Sequence, residues 1–317
     1  MHSSLLVLFK TALDFLKKDF HPAAYIYTFA LAFTLIAVNY STDLYQTYIV
    51  ASYHNGNSVR VFFMFYTAVY FCAAIPVLLL RKSYDVLGNP AFYFKSLFFI
   101  FLYALSVGFY DYHAWTIPSL TNLDNYYIFR LISRFKSCVC ILLPLFLYKT
   151  LFDKKIEGVY GLTKNSKHLD AYSMVFLMLL PFLIGVSFTS DFLTAYPQFR
   201  PWRYANALEL PVWLNALLYE VVYALDFVNT ELLFRGAMVI GMTAIMGPKA
   251  VLPMIVFYAS IHFGKPLGET VSSVFGGYVL GTLACQTKHI WGGVIAHIGI
   301  ALTMEIMGFV HHYLLGS

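Results

Sequence analysis

Glu231 and Arg235 stand four residues apart in the run Thr230-Glu231-Leu232-Leu233-Phe234-Arg235-Gly236, which is otherwise apolar enough to sit in lipid. A charge held inside a bilayer is costly, so an acid–base pair at such a place marks a functional site by default. On a helix the two are neighbours at i, i+4, with the acid on the N-terminal side, the better order for pairing. Two histidines follow in similarly apolar surroundings. His262 closes Phe257-Tyr258-Ala259-Ser260-Ile261-His262, and His297 lies in Gly292-Gly293-Val294-Ile295-Ala296-His297-Ile298-Gly299. A carboxylate and two imidazoles are the groups that take and return protons near neutral pH. Each also has a structural use: a buried charge needs a partner, and a histidine near a helix end often caps it. Glu269, Thr303 and Glu305 add polar groups to the same part of the chain.

The elements that must position these residues are membrane helices. The chain has 317 residues, 60% of them hydrophobic and 12% charged, with a mean hydropathy of +0.68. Soluble domains carry about 25% charged residues. Together with apolar runs of spanning length this makes an all-α, polytopic helical membrane protein with about eight or nine transmembrane helices. The net charge of +5 does not point to nucleic acid, because Lys and Arg fall in short clusters between apolar runs. Such clusters orient spans by the positive-inside rule. Cys72, Cys138, Cys140 and Cys285 lie in or beside apolar segments and read as small buried hydrophobes.

Residues 1–20 read as an interfacial amphipathic helix, with Leu5, Leu6, Phe9, Leu13 and Leu16 at helical spacing and lysines opposite. About five spans follow within 21–212, near 23–39, 60–80, 91–110, 131–151 and 171–189. The loop 153–169 is the most basic, and with the other clusters it predicts a cytoplasmic N-terminus. From Thr230 onward lie thirteen of the nineteen glycines but only eight of the fifty-five Phe and Tyr residues. Small residues let membrane helices approach closely, Gly277-x-x-x-Gly281 being one such face. A tightly packed bundle is therefore expected over 213–310, with helices near 213–246, 250–263, 268–286 and 290–310, and a tail at 311–317. The first of these is too long for one crossing, and is either one tilted helix or two broken near Asn229.

Glu-x-x-x-Arg-Gly, then aromatic-x-x-x-His, then a histidine in a glycine-flanked terminal helix, resembles the CPBP family over about 213–310. These are the type II CAAX prenyl endopeptidases and bacteriocin-processing enzymes, also called the ABI family. The run from His262 through Glu269 looks like a bacterial subgroup, which implies a bacterial cytoplasmic membrane. The family pattern is Glu-Glu-x-x-x-Arg, Phe-x-x-x-His and His-x-x-x-Asn. The resemblance implies that Glu231, His262, His297 and Arg235 are catalytic, hydrolysing a peptide bond of a membrane-associated, CAAX-like protein or peptide without a cofactor.

Thr230 replaces the first glutamate, Ala301 the asparagine and Tyr258 the phenylalanine. Threonine is no carboxylate base, and alanine donates no side-chain hydrogen bond to an oxyanion. Adjacent helix positions point about 100° apart, so Glu231 replaces a carboxylate at 230 only through a π-bulge or a helix rotation. Asp226, one turn before Thr230 on the same face, is the other candidate. Two further readings compete. One is a catalytically impaired scaffold or immunity protein of the same fold, and the other a hydrolase holding zinc or another divalent metal on Glu231, His262 and His297. The partners expected are membrane lipid and a membrane-associated protein or peptide substrate. The geometric requirement for catalysis by Glu231, His262 and His297 together is that the three side chains meet at one cavity large enough for water and a peptide carbonyl.

Overall fold

The computed structural model describes residues 2–164 and 166–315, with side chains from residue 4 onward. Met1, Gly316 and Ser317, at the ends of the expected surface helix and tail, lie outside the described residues. Among the described residues every regular element is helical, as the hydropathy pattern predicts. α1 (His2–Asp19) is the expected amphipathic helix. Its Leu8 is buried in a small cluster with Ala171, Tyr172 and Leu283, and Asp19 at its end pairs with Arg81 at 2.7 Å.

Helix starts follow local chemistry. α2 (Pro22–Thr42) opens on a proline, with the preceding His21 side chain accepting the Ala24 N–H. α3 spans Ser58–Leu80. α4 (Pro90–Gly108) opens on another proline behind Asn89, whose side chain accepts the Ala91 N–H. α5 (Asn122–Leu151) begins at a capping box between Thr121 and Asp124. That start lies nine residues before the expected 131, because the charges of the extra turns find partners: Asp124 accepts the Leu208 N–H at 2.5 Å and Arg130 donates to the Gln198 carbonyl at 2.6 Å. Arg134 Nε donates to the Tyr219 hydroxyl at 3.0 Å, and Lys136 donates to the Phe109 carbonyl at 2.9 Å. α6 is Leu169–Val186.

α7 (Val212–Glu231) runs without a break into a π-helical stretch, Leu232–Gly241. Asn229 does not divide it; its side chain is buried and donates to Ser137 Oγ at 2.8 Å. The break comes at Gly247, whose φ of 60° and ψ of −146° suit a residue without a Cβ. The chain then turns back, so that Phe234 packs on Phe257 and Tyr258 of α8 (Val251–Ser260). α9 (Leu267–Thr287) follows, and its Gly277 and Gly281 face Tyr258 and Met254, the close approach their spacing predicts. α10 is Trp291–Val310.

Among the described residues seven stretches are long and apolar enough to cross a membrane, one of them the whole of Val212–Ser260. That run is 49 residues, more than twice what a crossing needs, and Gly247 divides it. The chain is a polytopic integral membrane protein. Its main buried cluster draws Phe62, Tyr66 and Tyr70 of α3 together with Phe234 and most of α8.

Candidate active site

The π-helical stretch begins one residue after Glu231, and with it the angular spacing of an α-helix is lost. Glu231 is fully buried and Arg235 nearly so. Glu231 Oε1 holds two partners, Arg235 Nη1 at 2.9 Å and His297 Nδ1 at 3.1 Å. Arg235 also lays its guanidinium over the Tyr258 ring, 3.9 Å from its centroid, where the aromatic face favours a cation. α10 comes close enough to seal this cluster because Gly293 has no side chain: a Cβ there would overlap Glu231 Oε2.

His262 sits in the turn between α8 and α9, half-buried. Its Nδ1 lies 2.9 Å from the Tyr258 carbonyl oxygen. A carbonyl only accepts, so Nδ1 carries the proton and the neutral ring keeps Nε2 as its acceptor. Burial pushes the pKa of this imidazole down to about 4, with the Glu269 carboxylate acting the other way. His262 is thus a free base at neutral pH. The turn is braced from α9, where Thr270 Oγ1 donates to the His262 carbonyl at 2.6 Å. His297 projects from α10, packed against Phe227, with Nδ1 held by Glu231.

Both histidines line one cavity of about 260 Å³, several times the roughly 30 Å³ share of a water molecule. Thr230, Asp226, Glu269 and Ala301 share its wall. Glu231 does not line it. The carboxylate expected to meet water instead stands behind His297, since Arg235 and His297 hold the one oxygen and Gly293 covers the other. Arg235 reaches the wall beside Tyr258. Thr230 faces the cavity but turns its hydroxyl back to the Asp226 carbonyl at 2.9 Å. Ala301 likewise offers the cavity no donor.

The wall also includes residues the motifs did not single out. Arg134 comes from α5 and lies 3.6 Å from Asp226. Tyr196, from the segment before α7, donates to Glu269 Oε2 at 2.9 Å. Nothing in their local sequence marks them; their charge and hydroxyl matter only because the fold brings distant segments to this wall. Among the described residues no three His, Cys, Asp or Glu side chains form a group able to hold a metal ion. Glu231, His262 and His297 do not fit as a ligand set, because Glu231 is sealed from the cavity that the two imidazoles share.

Residues 211–303 match the family model Rce1-like, described as type II CAAX prenyl endopeptidase Rce1-like. The resemblance expected over 213–310 is borne out on that segment. Neither the curated proteins nor the solved structures compared with the chain gave a match.

Proposed function

We infer that this integral membrane protein, whose residues 211–303 resemble the Rce1-like type II CAAX prenyl endopeptidases, hydrolyses a peptide bond in a membrane-associated protein or peptide. The observation that supports this best is the pair of imidazoles, His262 and His297, on one cavity inside the helical bundle. In this reading His262 Nε2 accepts a proton from water as the water oxygen adds to the peptide carbonyl. His297, in its imidazolium form and held through Nδ1 by Glu231, donates from Nε2 to the oxyanion. The carbon–nitrogen bond then breaks and the proton on His262 passes to the leaving amine. Arg235 fixes Glu231, and Glu231 acts through His297 without touching the substrate. Lysine clusters support a cytoplasmic N-terminus, and the resemblance of the His262–Glu269 run supports a bacterial cytoplasmic membrane.

A second reading has a specific observation in its favour. Thr230, and not Glu231, shares the cavity with the histidines, and Ala301 stands where an oxyanion donor is expected. A non-catalytic scaffold or immunity protein of the same fold needs neither group. Comparing the termini of membrane proteins in cells with and without this chain separates the two. New termini that vanish in His262→Ala support hydrolysis. Identical termini in both cells, with the protein present in the membrane, leave the scaffold reading.

A further inference from the structure

The cavity lacks a carboxylate at Thr230 but gains two from elsewhere, Asp226 and Glu269. Resting on the endopeptidase reading, we propose that Glu269 of α9 is a catalytic residue, supplying across the cavity the carboxylate that position 230 does not.

Geometry separates the two acids. Asp226 is the counter-ion of Arg134 at 3.6 Å. That guanidinium is itself fixed by the Tyr219 hydroxyl and by the Tyr223 ring, 4.7 Å from its centroid. Asp226 therefore serves a cation that the wall holds in place. Glu269 has a cation at the same distance, Lys265, but on the His262 side of the cavity. Tyr196 donates to Oε2 at 2.9 Å, while Oε1 has only Lys265 Nζ at 3.6 Å, beyond hydrogen-bond reach. Oε1 is thus the oxygen left for a water.

Glu269 is also tied to His262. The two flank a single turn, closed by the Lys265 N–H to the His262 carbonyl at 2.8 Å. Thr270, next to Glu269, donates to that same carbonyl. The first turn of α9, which carries Glu269, is thus bonded to the backbone of His262. The Glu269 carboxylate favours the charged form of His262, against the effect of burial.

In the step proposed, a water bound between Glu269 Oε1 and His262 Nε2 adds its oxygen to the substrate carbonyl carbon. The carbonyl π pair moves to oxygen, the oxyanion is met by His297, and the water proton passes to Glu269. From there it goes to the amide nitrogen as the carbon–nitrogen bond breaks, giving a carboxylic acid and an amine. Glu269 and His262 share the base role that His262 fills alone in the simpler scheme.

The test quantifies cleaved termini of total membrane proteins by mass spectrometry, in cells lacking the chain and re-expressing wild type or a variant. Glu269→Gln keeps an oxygen to accept from Tyr196, so membrane level and detergent melting should match wild type. Cleaved termini should fall by about 10²–10⁴, the usual worth of a general base. Asp226→Asn should lower them less than about tenfold on the same scale. Adding Thr230→Glu to Glu269→Gln should raise cleaved termini by about tenfold or more over Glu269→Gln alone, an effect that a purely structural Glu269 would not produce. Termini unchanged in Glu269→Gln but lost in His262→Ala overturn the role of Glu269 and leave the endopeptidase reading standing. Loss in Asp226→Asn with Glu269→Gln unaffected moves the role to Asp226. No wild-type cleavage at all overturns both.

Discussion

Gly293 of α10 lies directly on the Glu231 carboxylate, so that the absence of one methyl group sets how closely the terminal helix closes over the buried acid. Gly293→Ala would drive a Cβ into Oε2, whose carboxylate is held in place by Arg235 and His297. Overpacking of this kind costs about 1–3 kcal/mol. The expected outcome is a lower melting temperature in detergent and loss of cleavage through displacement of His297. Gly185→Ala is the control: a Cβ there meets nothing within 4 Å. That variant should melt no lower than wild type.

The Glu231–Arg235 pair gives a second prediction. Removing one member of a buried pair is worse than removing both, because the survivor keeps its charge; without Arg235, Glu231 keeps only His297 Nδ1 beside it. Arg235→Met should cost about 3–5 kcal/mol, read as lost folded yield in detergent. Glu231→Gln with Arg235→Met should recover part of that yield, yet remain without cleavage, since His297 loses its orienting carboxylate. Equal yields for the single and the double variant would count against a coupled pair.

The sequence makes the pair and the glycine face readable because both depend only on local spacing. Glu231 and Arg235 are one helical turn apart, and Gly277 and Gly281 another; each pair meets its expected neighbour. The direction of Glu231 was not readable. It depends on the π-helical stretch that starts at Leu232 and on how far α10 closes at Gly293, and neither follows from the residues of one helix. The early start of α5 escaped notice for a related reason. Asp124 and Arg130 read as loop charges until the fold brings the Leu208 N–H and the Gln198 carbonyl to them. Lys95 is similar: it is buried because Asp153 and the Gly241 carbonyl both lie 2.6 Å away, contributed by distant segments. The carboxylates on the cavity wall come from separate helices, α7 and α9, so no motif spacing joins them.

Ala301 offers a gain-of-function test. It lines the cavity on α10, one turn beyond His297, at the position where an asparagine would add a donor. Losing one oxyanion donor in other hydrolases costs about 10²–10³ in rate. Ala301→Asn should therefore raise the yield of cleaved termini by about tenfold or more, the shortfall reflecting imperfect placement in a wall shaped for alanine. No gain, with the protein level unchanged, would mean that the oxyanion does not form next to α10.

The last prediction concerns pH. A histidine in water titrates near 6.5, whereas burial pushes His262 down to about 4. The form that accepts a proton is the free base, which burial favours over the imidazolium. Activity that needs this base should persist as pH falls through about 6.5 and disappear only as pH approaches the lowered value of about 4. A pH profile of cleavage in reconstituted membranes checks this, with lipid and substrate held constant. An acid limb centred near the ordinary histidine value would show that His262 is more hydrated during turnover than its place in the turn implies. It would also weaken its assignment as the group that takes the proton from water. A limb well below that value, lost together with all activity in His262→Ala, would tie the profile to this residue.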